Sequence, residues 1–157
     1  MVSAITFERT DSLSLVRCIL TSPYAWPHVG DDFAGDPKEF LPNGDPRIWY
    51  VLAMNGPEMV GLFTFLPRNQ VLWEGHIVLM PRRRPRGTQI LREGLDWMFE
   101  HSTAQRIIAE VPTCNKLAVK LVGSVMEVFG LNSKAFRKHG KLQDLILFGA
   151  SKTCPAQ

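Results

Sequence analysis

Three apolar runs separated by tight-turn signals constrain this chain more than any other feature. Ile48–Met54 is followed by Asn55-Gly56-Pro57, then Met59–Leu66, then Pro67-Arg68-Asn69-Gln70, then Val71–Met80. Asn-Gly between two apolar runs is the strongest short hairpin signal, because both residues tolerate positive φ. The three runs therefore form an antiparallel meander of strands. Along the third, alternation puts Leu72, Glu74, His76, Val78 and Met80 on one face. Val71, Trp73, Gly75, Ile77 and Leu79 take the other, provided no bulge breaks the parity.

The flanking segments extend this sheet. Ile5 and Phe7, within Ser3–Glu8, predict a short strand. Asp11 or Ser12 can cap a helix through Leu13, Leu15, Val16, Ile19 and Leu20, which Ser22-Pro23 ends. Pro23–Pro46 is rich in Pro, Gly and Asp, with Tyr24, Trp26, His28, Phe33 and Phe40 interleaved. It reads as an ordered loop with one short helix near Pro37–Leu41. After the meander, Thr88–His101 is helical, with Leu91, Leu95, Met98 and Phe99 on one face. Arg106–Val111 is a strand closed by Pro112, and Thr113 can cap a helix from Asn115 through Leu121. Val125–Phe129 and Gln143–Phe148 read as two last strands, joined across a basic loop at Ser133–Lys141. No repeat or composition break divides residues 1–157, so the expectation is one mixed α/β domain.

Composition narrows the function classes. Of 157 residues, 45% are hydrophobic and 21% charged, which excludes bulk disorder and is enough for a core without staples. The net charge of +3 is too small to demand a nucleic-acid partner by itself. No apolar run approaches the roughly 18 residues that span a bilayer. Met1–Thr10 lacks the pattern of a secretory signal. Cys18, Cys114 and Cys154 make no disulfide framework, so reduced thiols in a cytoplasmic protein are expected. These cysteines and His28, His76, His101 and His139 have no metal-ligand spacing.

The most unusual stretch is Pro81-Arg82-Arg83-Arg84-Pro85-Arg86-Gly87, between the meander and a helix. Backbone amides opening into a helix N-terminus bind anions, because the first N–H groups are unpaired and the helix dipole favours negative charge. Gly87 would let a ligand approach closely, so Gly87→Glu is expected to fill the cradle and leave the fold intact. Three readings stay open here: a phosphate or pyrophosphate cradle, a solvated basic loop, and a nucleic-acid patch. It is not a Walker loop, which ends in Gly-Lys-Ser/Thr.

Arg84-Pro85-Arg86-Gly87-Thr88-Gln89 resembles the Arg/Gln-x-x-Gly-x-Gly/Ala motif of the GNAT superfamily of acetyl-CoA-dependent N-acyltransferases. It matches at the first and fourth positions and departs at the sixth, where Gln89 replaces a small residue. The resemblance covers nearly the whole chain in its order of strands and helices. Asn115-Lys116-Leu117-Ala118 is similar to the family's Asn-x-x-Ala at the start of the fourth helix. Gly140-Lys141-Leu142-Gln143-Asp144 is similar to the ending of the subgroup containing ribosomal-protein N-terminal acetyltransferases. Trp73-Glu74-Gly75-His76-Ile77 and Asp31-Asp32 look like GNAT-like proteins often encoded by bacteriophages.

The resemblance implies a mixed, mostly antiparallel sheet, flanked by helices and splayed between its fourth and fifth strands. Acetyl-CoA would enter the gap as co-substrate, with backbone of Leu79 and Met80 pairing along pantetheine. Arg84, Arg86, Gly87, Thr88 and Gln89 would hold the pyrophosphate, Arg82 and Arg83 the 3′-phosphate, and Asn115 the pantetheine arm. The implied reaction is acetyl transfer to a primary amine: a small molecule, a lysine or a protein N-terminus. Alkyl ammonium groups titrate near about 10 and protein N-termini near about 8, so a general base is useful. Glu74 and His76 are the candidates, against the plainer readings of a cross-strand ion pair and a packed histidine. Glu74 is slightly preferred on the resemblance, His76 on intrinsic pKa. The family's tyrosine acid, seven residues after the Asn, is replaced by Val122, and Ser124 is the nearest hydroxyl. Trp26, His28, Asp31, Asp32 and Asp36 fall in the loop over the acceptor side, which would suit a cationic amine or merely form turns. Lys134, Arg137, Lys138 and Lys141 read as a solvated turn. Two other functions stay open: a GNAT-fold protein that binds CoA or a partner without catalysis, and a nucleic-acid binder through Arg82–Arg86.

Overall fold

Apolar runs of period two and helices of period 3.6 assemble into one seven-stranded sheet with helices on both faces. The computed structural model describes residues 4–154, and the side chains of residues 83–85 lie outside that description. In chain order the elements are β1 (Ile5–Arg9), α1 (Leu13–Leu20), α2 (Trp26–Val29), β2 (Trp49–Asn55), β3 (Glu58–Pro67) and β4 (Leu72–Leu79). A 3₁₀ segment (Pro81–Arg86), α3 (Gly87–His101), β5 (Arg106–Pro112), α4 (Lys116–Gly123), β6 (Glu127–Lys138) and β7 (Lys141–Ser151) follow. The strand order is β1-β2-β3-β4-β5-β7-β6, antiparallel throughout except for the parallel pair β4–β5.

The meander forms where the apolar runs place it. At the β2–β3 hairpin Gly56 takes φ 61° and Pro57 follows, while Asn55 remains in the strand, so glycine alone supplies the positive φ. The β3–β4 register runs from Gly61↔Leu79 to Pro67↔Trp73 without a shift, which preserves the alternation on β4.

The two sheet faces carry separate cores. On one, α3 buries Ile90, Leu91, Leu95, Met98 and Phe99 against Phe63, Phe65, Trp73 and Ile107, with Val122 of α4. Gly94 permits the close crossing: a Cβ there would stand 2.4 Å from Phe63 Cζ. On the other, α1 places Val16 and Ile19 on Tyr50, Leu52 and Leu62.

Three local expectations change. The short helix of the long loop is Trp26–Val29, with a proline in its first turn where the missing N–H costs nothing. At the segment expected to be helical, Arg17 instead takes the carbonyls of Lys38 and Phe40. Asn115, and not Thr113, caps α4, its side chain accepting from the Ala118 amide at 3.2 Å. The expected basic loop is mostly strand: β6 runs to Lys138 and turns at His139 and Gly140, both at positive φ (51° and 73°). As the edge strand of the sheet, β6 is free to carry lysine and arginine. A bulge in it sets Lys134 at φ 54°, and Asp144 accepts the Lys134 amide at 2.8 Å.

Candidate active site

Parallel pairing between β4 and β5 covers only Leu72↔Arg106, Trp73↔Ile107 and Glu74↔Ile108. Beyond Glu74 the strands diverge, and the gap between them is part of a cleft of about 750 Å³. Gly75, Ile77 and Leu79 of β4 and Ala109, Val111 and Pro112 of β5 line it. The Met80 amide donates to Val60 O at 3.0 Å. By the alternation of an antiparallel ladder, Val78 and His76 also turn their backbone groups to β3, whereas Ile77 and Leu79 turn theirs into the gap. Of the pair expected along pantetheine, Leu79 thus has its backbone facing the opening and Met80 has its amide engaged.

The β4–α3 junction is a 3₁₀ segment and not an open loop. No side chain caps α3, and no acidic residue lies in its first turn. Thr88 and Asn115 line the cleft, and Thr88 Oγ1 lies 3.0 Å from Ser124 Oγ across α3 and α4. Gly87 is buried, and a Cβ there would stand 2.8 Å from Leu79 Cδ1 and 3.1 Å from Leu121 Cδ1. Its missing side chain thus serves packing as well as access, since any side chain there must displace the ends of two leucines. Gln89 donates to Glu93 at 2.7 Å and accepts from Arg86 at 3.3 Å. Arg82 is exposed, and the Arg83 and Arg84 side chains lie outside the described residues.

The fold brings Glu74 and His76 together on one face of β4. Glu74 is 8% exposed, a buried charge among the described residues. Its Oε1 is 2.8 Å from His76 Nε2, and its Oε2 accepts from Arg68 Nε at 2.7 Å and from Arg68 Nη2. The His76 hydrogen bond holds the Glu74 carboxyl below its ordinary range; burial opposes this, and the charges of His76 and Arg68 reinforce it. An ionised Glu74 accepts only, so His76 carries its proton on Nε2 and presents Nδ1 as the basic atom. His76 lines the cleft; Glu74 stands behind it.

Arg68 escapes a reading by motif because it sits in the β3–β4 turn. The register Leu66↔Glu74 carries the signal, since it sets the turn beside Glu74. Asn69 Oδ1 accepts the amides of Val71 and Leu72 and fixes that turn. Tyr24 and Tyr50, remote in sequence, also reach the cleft, as does Glu110 of β5. The Tyr24 hydroxyl is bonded to Met80 Sδ at 3.1 Å and that of Tyr50 to Asn43 O at 2.9 Å. Burial raises the Tyr50 pKa. Val122 is buried, with its side chain at the cleft wall.

The acidic loop is tied to the tip of the β6–β7 hairpin by hydrogen bonds. Asp32 accepts the His139 and Gly140 amides at 2.8 Å each, and its own amide donates to Arg137 O at 3.0 Å. Lys138 Nζ adds a bond to Gly30 O at 2.6 Å. Asp31 and Asp36 accept the amides of Phe33 and Lys38 within their own turns.

Residues 15–124 match the acetyltransferase (GNAT) family, and the chain belongs to that family. Its fold is similar to that of spermidine N-acetyltransferase from Vibrio cholerae, solved with CoA and spermine. That match has 14% identity over 94% of this chain and 95% of that one, with TM-score 0.74. An acetyltransferase structure from Salmonella typhimurium with acetyl-CoA matches at 14% identity over 99% and 98%, TM-score 0.70. Ribosomal-protein-S5-alanine acetyltransferase from Vibrio fischeri matches at 17% identity over 67% of this chain and 62% of that one, TM-score 0.57. No curated protein matches the sequence. Among the described residues, no helix is long and apolar enough to cross a membrane, and no cluster of His, Cys, Asp and Glu could hold a metal ion.

Proposed function

We propose that this chain is an acetyl-CoA-dependent N-acetyltransferase that transfers acetyl directly to a primary amine. The observation that carries the reading is His76, held by a buried, arginine-paired carboxylate on the wall of the gap between β4 and β5. The uncapped N-terminus of α3 and the arginine-rich segment before it fit a pyrophosphate. Backbone of Ile77 and Leu79 and the Asn115 amide fit a peptide-like arm. Bound acetyl-CoA supplies an activated acetyl thioester.

Within that frame His76, rather than Glu74, accepts the proton of the attacking amine. A carboxylate held below its ordinary range is a weaker base, and its hydrogen bond to Nε2 directs the imidazole's basicity to Nδ1. Glu74 and Arg68 are positioning residues.

Val122 in the tyrosine position favours a second reading, a GNAT-fold protein that binds CoA without transfer. The two separate in one experiment. Acetyl-CoA raises the melting temperature under both, whereas amine-dependent release of free thiol occurs only for the enzyme. A protein neither stabilised by acetyl-CoA nor active with any amine would refute both.

A further inference from the structure

The half of the cleft on the α1–α2 face of the sheet is where an acceptor would lie opposite the cofactor side. Its wall is built from Val29, Phe40, Leu41, Ile48, Leu62 and Leu66, beside the rings of Tyr24 and Tyr50. Both tyrosine hydroxyls are committed to protein partners, so they offer ring surface more than polarity. Leu41 lines the cleft yet is 76% exposed, an apolar rim with nothing folded over it.

Charge is the second observation. Among the described residues, Glu110 is the one carboxylate in the cleft wall. The carboxylates that would have suited a cation are spent elsewhere. Asp31 and Asp36 cap turns, and Asp32 holds the β6–β7 hairpin. A polyamine brings several ammonium groups, and each one taken from water without a partner is costly. An apolar body gains from the same wall in proportion to the area it buries.

We infer that the acceptor is a primary amine carried on an aryl or branched-alkyl body, and not a polycation. The inference rests on the acetyltransferase reading. In the transfer, the acceptor nitrogen forms a C–N bond as the acetyl C–S bond breaks. One nitrogen proton passes to His76, and solvent protonates the departing thiolate.

The test measures amine-dependent thiol release from acetyl-CoA with 2-phenylethylamine, 3-methylbutylamine and spermidine. The two apolar amines should exceed spermidine in kcat/KM by about tenfold or more, the scale on which apolar pockets discriminate. Leu41→Glu, at an exposed position that leaves folding unaffected, should raise KM for phenylethylamine and narrow that ratio. Spermidine turned over as well as or better than the apolar amines would overturn this inference and leave the acetyltransferase intact. No transfer to any amine, with acetyl-CoA still raising the melting temperature, would overturn both.

Discussion

The two faces of the sheet solve different problems. Under α3, Phe63 stacks on Phe65 at 5.5 Å between ring centres, Phe7 meets Phe63 edge-on at 6.0 Å, and Gly94 brings the helix close to Phe63. Under α1 and α2 the apolar layer is thinner, and a charged carboxylate is buried beside it. A close-packed face resists deformation. A sheet braced on one side can therefore hold a desolvated charge on the other, with the cleft between β4 and β5 lined from both faces. Changes in the Phe63–Phe65–α3 packing should register as stability, and changes at Glu74 and His76 as chemistry.

The sharpest division comes from His76→Ala. It should lower kcat by about 10²–10⁴, the usual worth of a general base, while the lost bond to buried Glu74 costs stability by about 1–3 kcal/mol. A steady-state assay beside a thermal melt checks it; equal kcat would remove His76 from the reaction. Gly94→Ala should act on stability alone. The added methyl gains roughly 1 kcal/mol in helix propensity. It must also displace Phe63, which is 1% exposed, and overpacking of this kind costs about 1–3 kcal/mol. Displacement should win, because Phe63 is locked against Phe65. Denaturant titration then shows a less stable protein with an unaltered pH–rate profile.

Glu74→Gln joins the two sides of this division, since the residue is both buried and bonded to His76. Its folded pKa is lowered from 4.5, so the carboxylate's contribution to stability is complete above that value. The contribution is lost as pH falls through the lower folded pKa. Melts should show the wild type ahead of the variant at neutral pH, by about 1–3 kcal/mol for hydrogen bonds to a charged group. The gap should close under acid conditions; a gap that widened instead would contradict the assigned pairing. The smallest effect belongs to Asp32→Ala. Amides of His139 and Gly140 should exchange faster with solvent, with the global melting temperature barely moved.

Much of this arrangement was legible in residue order. The meander, α3 and β5 announce themselves because each buries one face, and burial writes a period into the chain. The face shared by Glu74 and His76 followed from strict alternation. The outer half of β6 did not, because an edge strand exposed on most of its length has no apolar period to display. Its His139-Gly140 turn also lacks the usual Asn-Gly. The proposal of His76 over Glu74 rests on a contact no single segment contains: Arg68 reaches Glu74 only once the β3–β4 register is set. Tyr24, Tyr50 and Glu110 reach the cleft in the same way, by pairing between strands and loops distant in sequence.

The bonds from Asp32 to the tip of the β6–β7 hairpin join positions 107 and 108 residues apart. Both segments must therefore be made and the sheet between them paired before this contact can form. Bringing such distant segments together carries a large closure entropy, met only after the central strands are in place. During folding this contact should be the last part to acquire protection, and in the native protein among the first to open by local fluctuation. The tip of the hairpin thus carries a weakness set by chain connectivity alone.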